Sequence, residues 1–421
     1  MLLCDPHEFR ALVDELGPHR VASVLRKPPS WVEAAATEQP PLWALVLLRR
    51  ALHQFRSTPP GFVGFEVPGA PAWTTAQGDG QLTGKLPAWR LGGDDARPRV
   101  LLVGGSLNQT KMMHRIAEAL GDDAVCAFSS FYADGYVRWL AEHGHLDTTI
   151  LGGQAKAATQ RYFCEHGLPV DERGEARTYD LVVMGTDLVV PDNVRKTRFV
   201  LVQEGMTDPE GWLYRMTRTL GLPRYLANTS MAGLSHAYDA FCVAGDGWKD
   251  KFVAKGCDPE RLVVTGMPNF DDCAAYLDND FPHHGYVLAA TSCLRETFKH
   301  EDRDAFILRA KQEAEARGKR LLFKLHPNED HARAVREIEA LAPEALVFTE
   351  GNTDHMIANC DVLVTRYSSV VLVAAALEKE IVSDLDAETL RQLRPVQNDG
   401  TSADRIADVC RQVLDCAPVL T

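Results

Sequence analysis

Residues 361–385 read DVLVTRYSSVVLVAAALEKEIVSDL, and the reading of this stretch decides the fold. A short apolar run, DVLVT, ends in Arg366-Tyr367-Ser368-Ser369. The apolar run VVLVAAALEK follows, and EIVSDL closes the unit. A short continuous apolar run bounded by turn residues reads as a strand buried on both faces, and the longer run as a helix. Strands of this kind, separated by helices, pair in parallel with helices on both faces of the sheet.

The same alternation extends outward in both directions. Upstream, YVLAATS (286–292) precedes a helix at about 302–317, RLLFKLHP (320–327) precedes one near 330–341, and LVFTEG (346–351) follows. Downstream, a helix near 402–415 closes the chain. An earlier set begins with RVLLVGG (99–105) and a helix through Leu120. It continues with AVCAFSS (124–130), a helix at 133–143, TTIL (148–151), YDLVVMG (179–185), RFVLVQEG (198–205) and DAFCVAG (239–245). The expected fold is therefore α/β, with two Rossmann-like doubly wound parallel-sheet domains facing a cleft. The first spans 98–272 and the second 273–421, joined near 270–285, where His283-His284 reads as linker. Residues 1–97 form an extension with helical patches at 6–16 and 41–55, then a stretch rich in Pro and Gly from 59 to 93.

Bulk composition narrows the function. The 421 residues are 45% hydrophobic and carry 45 Lys+Arg against 58 Asp+Glu, a net charge of -13. That apolar share excludes a disordered chain, and that charge disfavours non-specific binding to nucleic acid or an anionic membrane. Leu42–Leu48 (LWALVLL) is too short to span a bilayer, and the N-terminus lacks the basic start of a secretory signal. Ten Cys are scattered without a CxxC pair, as expected of reduced thiols in the cytoplasm.

The residues that carry chemistry stand at predicted strand ends, where ligands of doubly wound sheets bind. Gly104-Gly105-Ser106 follows the first strand; it matches neither GxGxxG nor a P-loop, so NAD and ATP gain no support. Glu204 and Asp208 lie in the loop QEGMTDP. Glu204 is placed to act as a general base, or either acid caps the next helix. In the second half, His326 of KLHP tips a strand and can donate to a phosphate oxygen. Ser368 and Ser369 precede a helix, where hydroxyls and free N–H groups form an anion cradle, although N-capping alone explains one of them. Thr291, Ser292, Arg295 and Arg366 stand at neighbouring strand ends and complete a cationic pocket for a diphosphate.

These motifs carry a resemblance. The order RLVVTGMPNFD (261–271), KLHP, then DVLVTRYSSVVLVAAALEKEIV (361–382) resembles nucleotide-sugar enzymes of the two-Rossmann GT-B class. One related group comprises bacterial surface-polymer glycosyltransferases and CDP-glycerol glycerophosphotransferases, whose HP and SS motifs bind the donor nucleotide. The other comprises UDP-N-acetylglucosamine 2-epimerases, which share the VTGxPxxD junction and the HP. The epimerases carry a Ser-Gly-Gly turn and paired glutamates in the next helix, where this chain has Tyr367-Ser368-Ser369 followed by Val and Ala. Their His-Val-Glu-Ala-Gly-Leu loop is similar to Leu201–Met206 with the Glu displaced by one. The glycerophosphotransferases have a His-Gly-Thr-Pro loop there, and this chain has no His at that place.

The resemblance implies a glycosyltransferase that takes a sugar or related group from a nucleotide-activated donor to an acceptor hydroxyl, in bacterial polysaccharide or glycoconjugate synthesis. His326, Ser368, Ser369, Arg295, Thr291, Ser292 and Arg366 would hold the donor nucleotide and its phosphates. Glu204 and His326 would be the catalytic pair. Gly104, Gly105, Ser106 and Asp208 would line the acceptor side. No metal and no cofactor are expected, with helix dipoles and side chains in the place of a divalent ion. The alternatives are a 2-epimerase and a non-catalytic nucleotide-sugar-binding protein.

Overall fold

The computed structural model describes residues 96–147, 149–295 and 301–416. The expected helices at 6–16 and 41–55, the apolar run 42–48 and the stretch 59–93 lie outside the described residues.

The first sheet begins with β1 (Arg99–Gly104), α1 (Leu107–Leu120), β2 (Val125–Ser130), α2 (Gly135–Glu142), α3 (Gly153–Glu165) and β3 (Leu181–Met184). It continues with the single turn α4 (Asp192–Arg195), β4 (Arg198–Val202), α5 (Trp212–Leu220), β5 (Ala240–Val243), α6 (Asp246–Lys255) and β6 (Leu262–Val264). The second sheet uses β7 (Tyr286–Ala290), α7 (Arg303–Arg317), β8 (Leu321–Lys324), α8 (His331–Leu341) and β9 (Leu346–Phe348). Then come α9 (Thr353–Asn359), β10 (Cys360–Val364), α10 (Val370–Ala376), β11 (Glu380–Val382), α11 (Ala387–Gln392) and α12 (Ser402–Asp415).

Among the described residues every strand pairing is parallel. The strand orders are β2-β1-β3-β4-β5-β6 and β11-β10-β7-β8-β9. This is the two-sheet architecture expected. The apolar runs are continuous because both faces are covered. In β1, Leu101 and Val103 join one core cluster while Val100 and Leu102 join the other. The second sheet divides in the same way, with Val287 and Ala289 on one side and Tyr286 and Leu288 on the other. Each fully buried Val, Leu or Ile contributes roughly 1.5–3 kcal/mol, so two buried faces per sheet dominate the stability.

Two local features differ from the sequence expectation. Of TTIL, residues 149–151 form a turn rather than a strand. Thr149 Oγ1 donates to the Leu146 carbonyl at 2.7 Å, and this local bond competes with a ladder. The closing helix α12, near the end of the 273–421 segment, packs on the first sheet: Ile406, Ala407 and Cys410 are buried with Val100, Met113 and Ile116. The chain reaches it through a strap in which Val396 N–H donates to the Ala244 carbonyl and Trp248 Nε1–H to the Leu393 carbonyl, each at 2.8 Å.

Strand order reverses at β1/β3 in one sheet and at β7/β10 in the other. Crevices for ligands open at such points, beyond the carboxyl ends of the strands. Gly104–Ser106 stands at the first reversal, with Glu204 one strand beyond β3. Thr291-Ser292 and Arg366–Ser369 flank the second.

Candidate functional site

On the first-domain side, Ser106 caps α1. Its hydroxyl accepts the Gln109 N–H at 3.2 Å, and Gln109 Oε1 accepts the Ser106 N–H at 3.3 Å, closing a capping box. The Gly104 carbonyl accepts the Phe131 N–H at 2.7 Å, which ties the turn to the end of β2. Gly105 leaves room for the Gln109 amide: a Cβ there would overlap its oxygen and stand 2.8 Å from Ile150 Cδ1, so a side chain at this position would displace both. Gln109 is thereby pressed against the turn, and its Nε2–H donates to Glu204 Oε2. Thus Gly104, Gly105, Ser106 and Glu204 are brought together, with Gln109 as the link.

Glu204 is half-buried, and burial pushes its carboxyl up to about 7, against the opposing pull of the Gln109 donor. A carboxyl poised near neutrality is what general base catalysis calls for. Beside it lies a cavity of about 30 Å³ lined by Thr186, Asp187, Glu204, Met206, Thr207 and Thr229, room for one water. The buried Thr207 hydroxyl, in its wall, has no hydrogen-bond partner among the described residues. Asp208 does not cap α5. It is tied to Thr229, whose hydroxyl accepts the Asp208 N–H at 2.8 Å and donates to its carboxylate at 3.0 Å.

The Glu204 loop touches the second domain. A Cβ on Gly205 would lie 2.9 Å from Ser369 Oγ, and the Met206 N–H donates to that oxygen at 3.4 Å. Ser369 occupies the cap position of α10 without a side-chain cap bond, so its hydroxyl serves the cleft rather than its own helix. Tyr367 is pushed up to about 12 by burial, and the charges of Asp208 and Glu210 act in the same direction. The turn 366–369 and the loop 204–210 therefore face one another.

His326 is positioned twice over. Its N–H donates to Thr291 Oγ1 at 2.9 Å, and its Nδ1 accepts the Asn328 N–H at 3.1 Å. The neutral ring then carries its proton on Nε2, which lies 3.8 Å from Cys293 Sγ. Thr291 is buried and donates to Glu329 at 2.6 Å, so it sets the loop in place rather than facing a ligand. Ser292 is buried beside it, with no partner for its hydroxyl among the described residues. Lys324 donates to the Leu325 and Thr349 carbonyls and holds the strand end.

The two arginines expected to charge this pocket are both matched by acids. Arg295 makes a bidentate pair with Glu337 at 2.8 and 2.7 Å and lies 3.3 Å from Glu301. Arg366 Nε donates to Asp384 at 3.0 Å. Beside Arg295, Glu329, Arg303 and Glu301 form a buried charge cluster, with Arg303 paired to both acids. Gln109 and Glu329 escaped the sequence expectation. The Ser-x-x-Gln spacing of a capping box signals the first, and nothing local signals the second.

The sequence matches no family model and no curated protein. Solved structures similar to this one include a UDP-GlcNAc 2-epimerase from Neisseria meningitidis bound to UDP-GlcNAc. It is 11% identical, with a TM-score of 0.48, over 75% of this chain and 100% of that one. A glycosyltransferase from Rickettsia africae is 10% identical, with a TM-score of 0.43, over 76% and 90%. The wall teichoic acid polymerase TagF is 13% identical, with a TM-score of 0.39, over 75% and 88%.

Proposed function

We propose that the protein binds a nucleotide-activated sugar or related donor in the cleft and transfers the activated group to an acceptor hydroxyl. The observation that carries this reading is Glu204, a carboxyl raised to about 7, held by Gln109 and set one residue from the contact with Ser369. The acceptor, a glycan or small molecule, would sit against 98–272, between Glu204, the Gly104-Gly105-Ser106 turn and Asp208. The donor would sit against 273–421.

In this scheme Glu204 takes the proton of the acceptor hydroxyl as the oxygen attacks the donor carbon. The bond to the leaving phosphate breaks, and its electron pair stays on phosphate oxygen. His326 donates from Nε2–H to that oxygen, and Ser368 and Ser369 donate from their hydroxyls. Arg295 and Arg366, being matched by acids, act by holding the loops that carry these donors. Transfer is favoured over epimerisation because α10 reads VVLVAAA, with no carboxylate where the epimerases resembled here carry a pair.

The test is a thermal-shift panel of UDP, CDP and CMP on the parent, His326→Ala and Ser368→Ala proteins. A ligand at a hundred times its dissociation constant adds about 2.7 kcal/mol, a readily visible shift. The parent is expected to respond to one nucleotide and the folded variants to lose most of that response. Undiminished binding by both variants refutes the assignment. Release of nucleotide or of an epimer from the donor without any acceptor supports the epimerase instead.

A further inference from the structure

Helix α5 carries apolar residues on both faces, Leu213 and Tyr214 inward and a second set outward. It buries Tyr214 and Thr217, and Tyr214 packs with Ala227 and Met231. Its large apolar residues Trp212, Met216 and Leu220, four apart and so on one face, are 72%, 37% and 64% exposed. Tyr225 and Leu226, in the short helical segment that follows, are exposed as well. An exposed apolar stripe of this kind marks an interaction surface.

Charge identifies the partner. The chain as a whole is at -13, yet residues 211–235 contain Arg215, Arg218 and Arg224 and no Asp or Glu. Arg215 is exposed; Arg218 bonds the neutral Tyr214 hydroxyl at 2.9 Å. Arg224 donates to the Asp187 carbonyl at 3.0 Å and lies in the field of that buried carboxylate. Of the acids just upstream, Asp208 is bonded to Thr229 and Glu210 lies in the field of Lys251. The surface is therefore an apolar stripe flanked by the exposed Arg215 and Arg218, Arg224 being held by Asp187. A second copy meeting it about a two-fold axis would oppose arginines to arginines, which disfavours self-association.

We propose that the α5 face docks peripherally on an anionic lipid surface, with Trp212, Met216 and Leu220 entering the headgroup–acyl boundary and the arginines meeting lipid phosphates. Among the described residues no helix is long and apolar enough to cross a membrane, so the contact lies on the bilayer and does not span it. The stripe begins eight residues after Glu204 on the same loop, so docking brings the base to the bilayer surface, where lipid-borne acceptors are presented.

The test is co-sedimentation of the full chain with vesicles of phosphatidylcholine alone and of roughly three parts phosphatidylcholine to one part phosphatidylglycerol. The parent is expected to pellet with the anionic vesicles only. The double variant Trp212→Ser/Leu220→Ser should lose about tenfold in partitioning, and Arg215→Ser roughly fivefold. Trp139→Ser, at a 46% exposed tryptophan on α2, should leave partitioning unchanged. A parent that stays in solution with anionic vesicles, or a double variant that pellets like the parent, overturns the proposal. So does a dimer, seen by light scattering, that the double variant dissociates. Docking is read without turnover: a protein that pellets as expected but binds no nucleotide upholds docking and refutes transfer.

Discussion

Replacing Glu204 by Gln should make the protein more stable as well as inactive, and the stability gain should grow with pH. In the folded state the carboxyl ionises near 7, against an ordinary value of 4.5. Between those values the unfolded chain has lost the proton and the folded one keeps it, so folding binds protons. Stability is therefore undiminished below about 4.5 and is lost as pH rises through 7, by about 3 kcal/mol in all, at 1.36 kcal/mol per unit. Gln keeps the shape and an acceptor for the Gln109 amide but carries no charge to bury. Melting curves of parent and variant across this range are the assay, because every other titrating group cancels in their difference. The variant should be more stable by about 3 kcal/mol near pH 8 and by less than about 1 near pH 5, several degrees in Tm at the alkaline end. In transfer assays the parent rate should rise with pH through about 7, and the variant should lose that limb together with about 10²–10⁴ in rate. A difference in Tm that is the same at both ends of the range, or negative at the alkaline end, would refute the burial of a charged base at this position.

Gly105→Ala pushes the Gln109 amide off Glu204; losing that donor should raise the acid limb of the rate profile by about one unit, and an unmoved limb would show that the amide does not tune the base. Glu329→Ala removes one of the two acids paired with buried Arg303 and the acceptor of Thr291, and should cost roughly 3–5 kcal/mol in denaturant unfolding. A loss below about 1 kcal/mol would mean that the cluster carries no net charge pairing. Cys293, half-exposed beside His326, should react with iodoacetamide faster than the buried Cys360, and UDP or CDP should slow the reaction. Peptide mapping reads both rates, and an unchanged rate with every nucleotide would separate Cys293 from the donor pocket.

The parts of the fold legible in the sequence were those set by local pattern. RVLLVGG and DVLVTRYSS read as buried parallel strands because apolar side chains alternate onto two covered faces. TTIL carried the same composition, but the Thr149 hydroxyl near Gly152-Gly153 found backbone partners in a turn. The pattern of α12 announces an apolar face without saying which sheet receives it, so its return to the first sheet was not legible. At the candidate site, His326, Ser369 and Glu204 stand just beyond the ends of strands, the places that the sequence pattern singles out. The matching of Arg295 by Glu337, 42 residues away, and of Arg366 by Asp384, 18 away, depends on tertiary approach that no spacing rule encodes.

That matching changes what a phosphate would meet. With both arginines paired to acids in their own domain, the groups proposed to face an anion among the described residues are His326 Nε2–H, the serine hydroxyls and backbone N–H groups. Such donors act only at contact distance, so closure of the cleft matters more than long-range attraction. The loop 204–206 registers that closure. Glu204 is fastened to Gln109 in its own domain, whereas the link from Met206 to Ser369 is a long 3.4 Å bond between domains. In the proposed scheme, opening of the cleft would break the second and spare the first. Glu204 would then stay in register with the proposed acceptor side while the proposed donor groups come and go, as transfer between two separately bound partners requires.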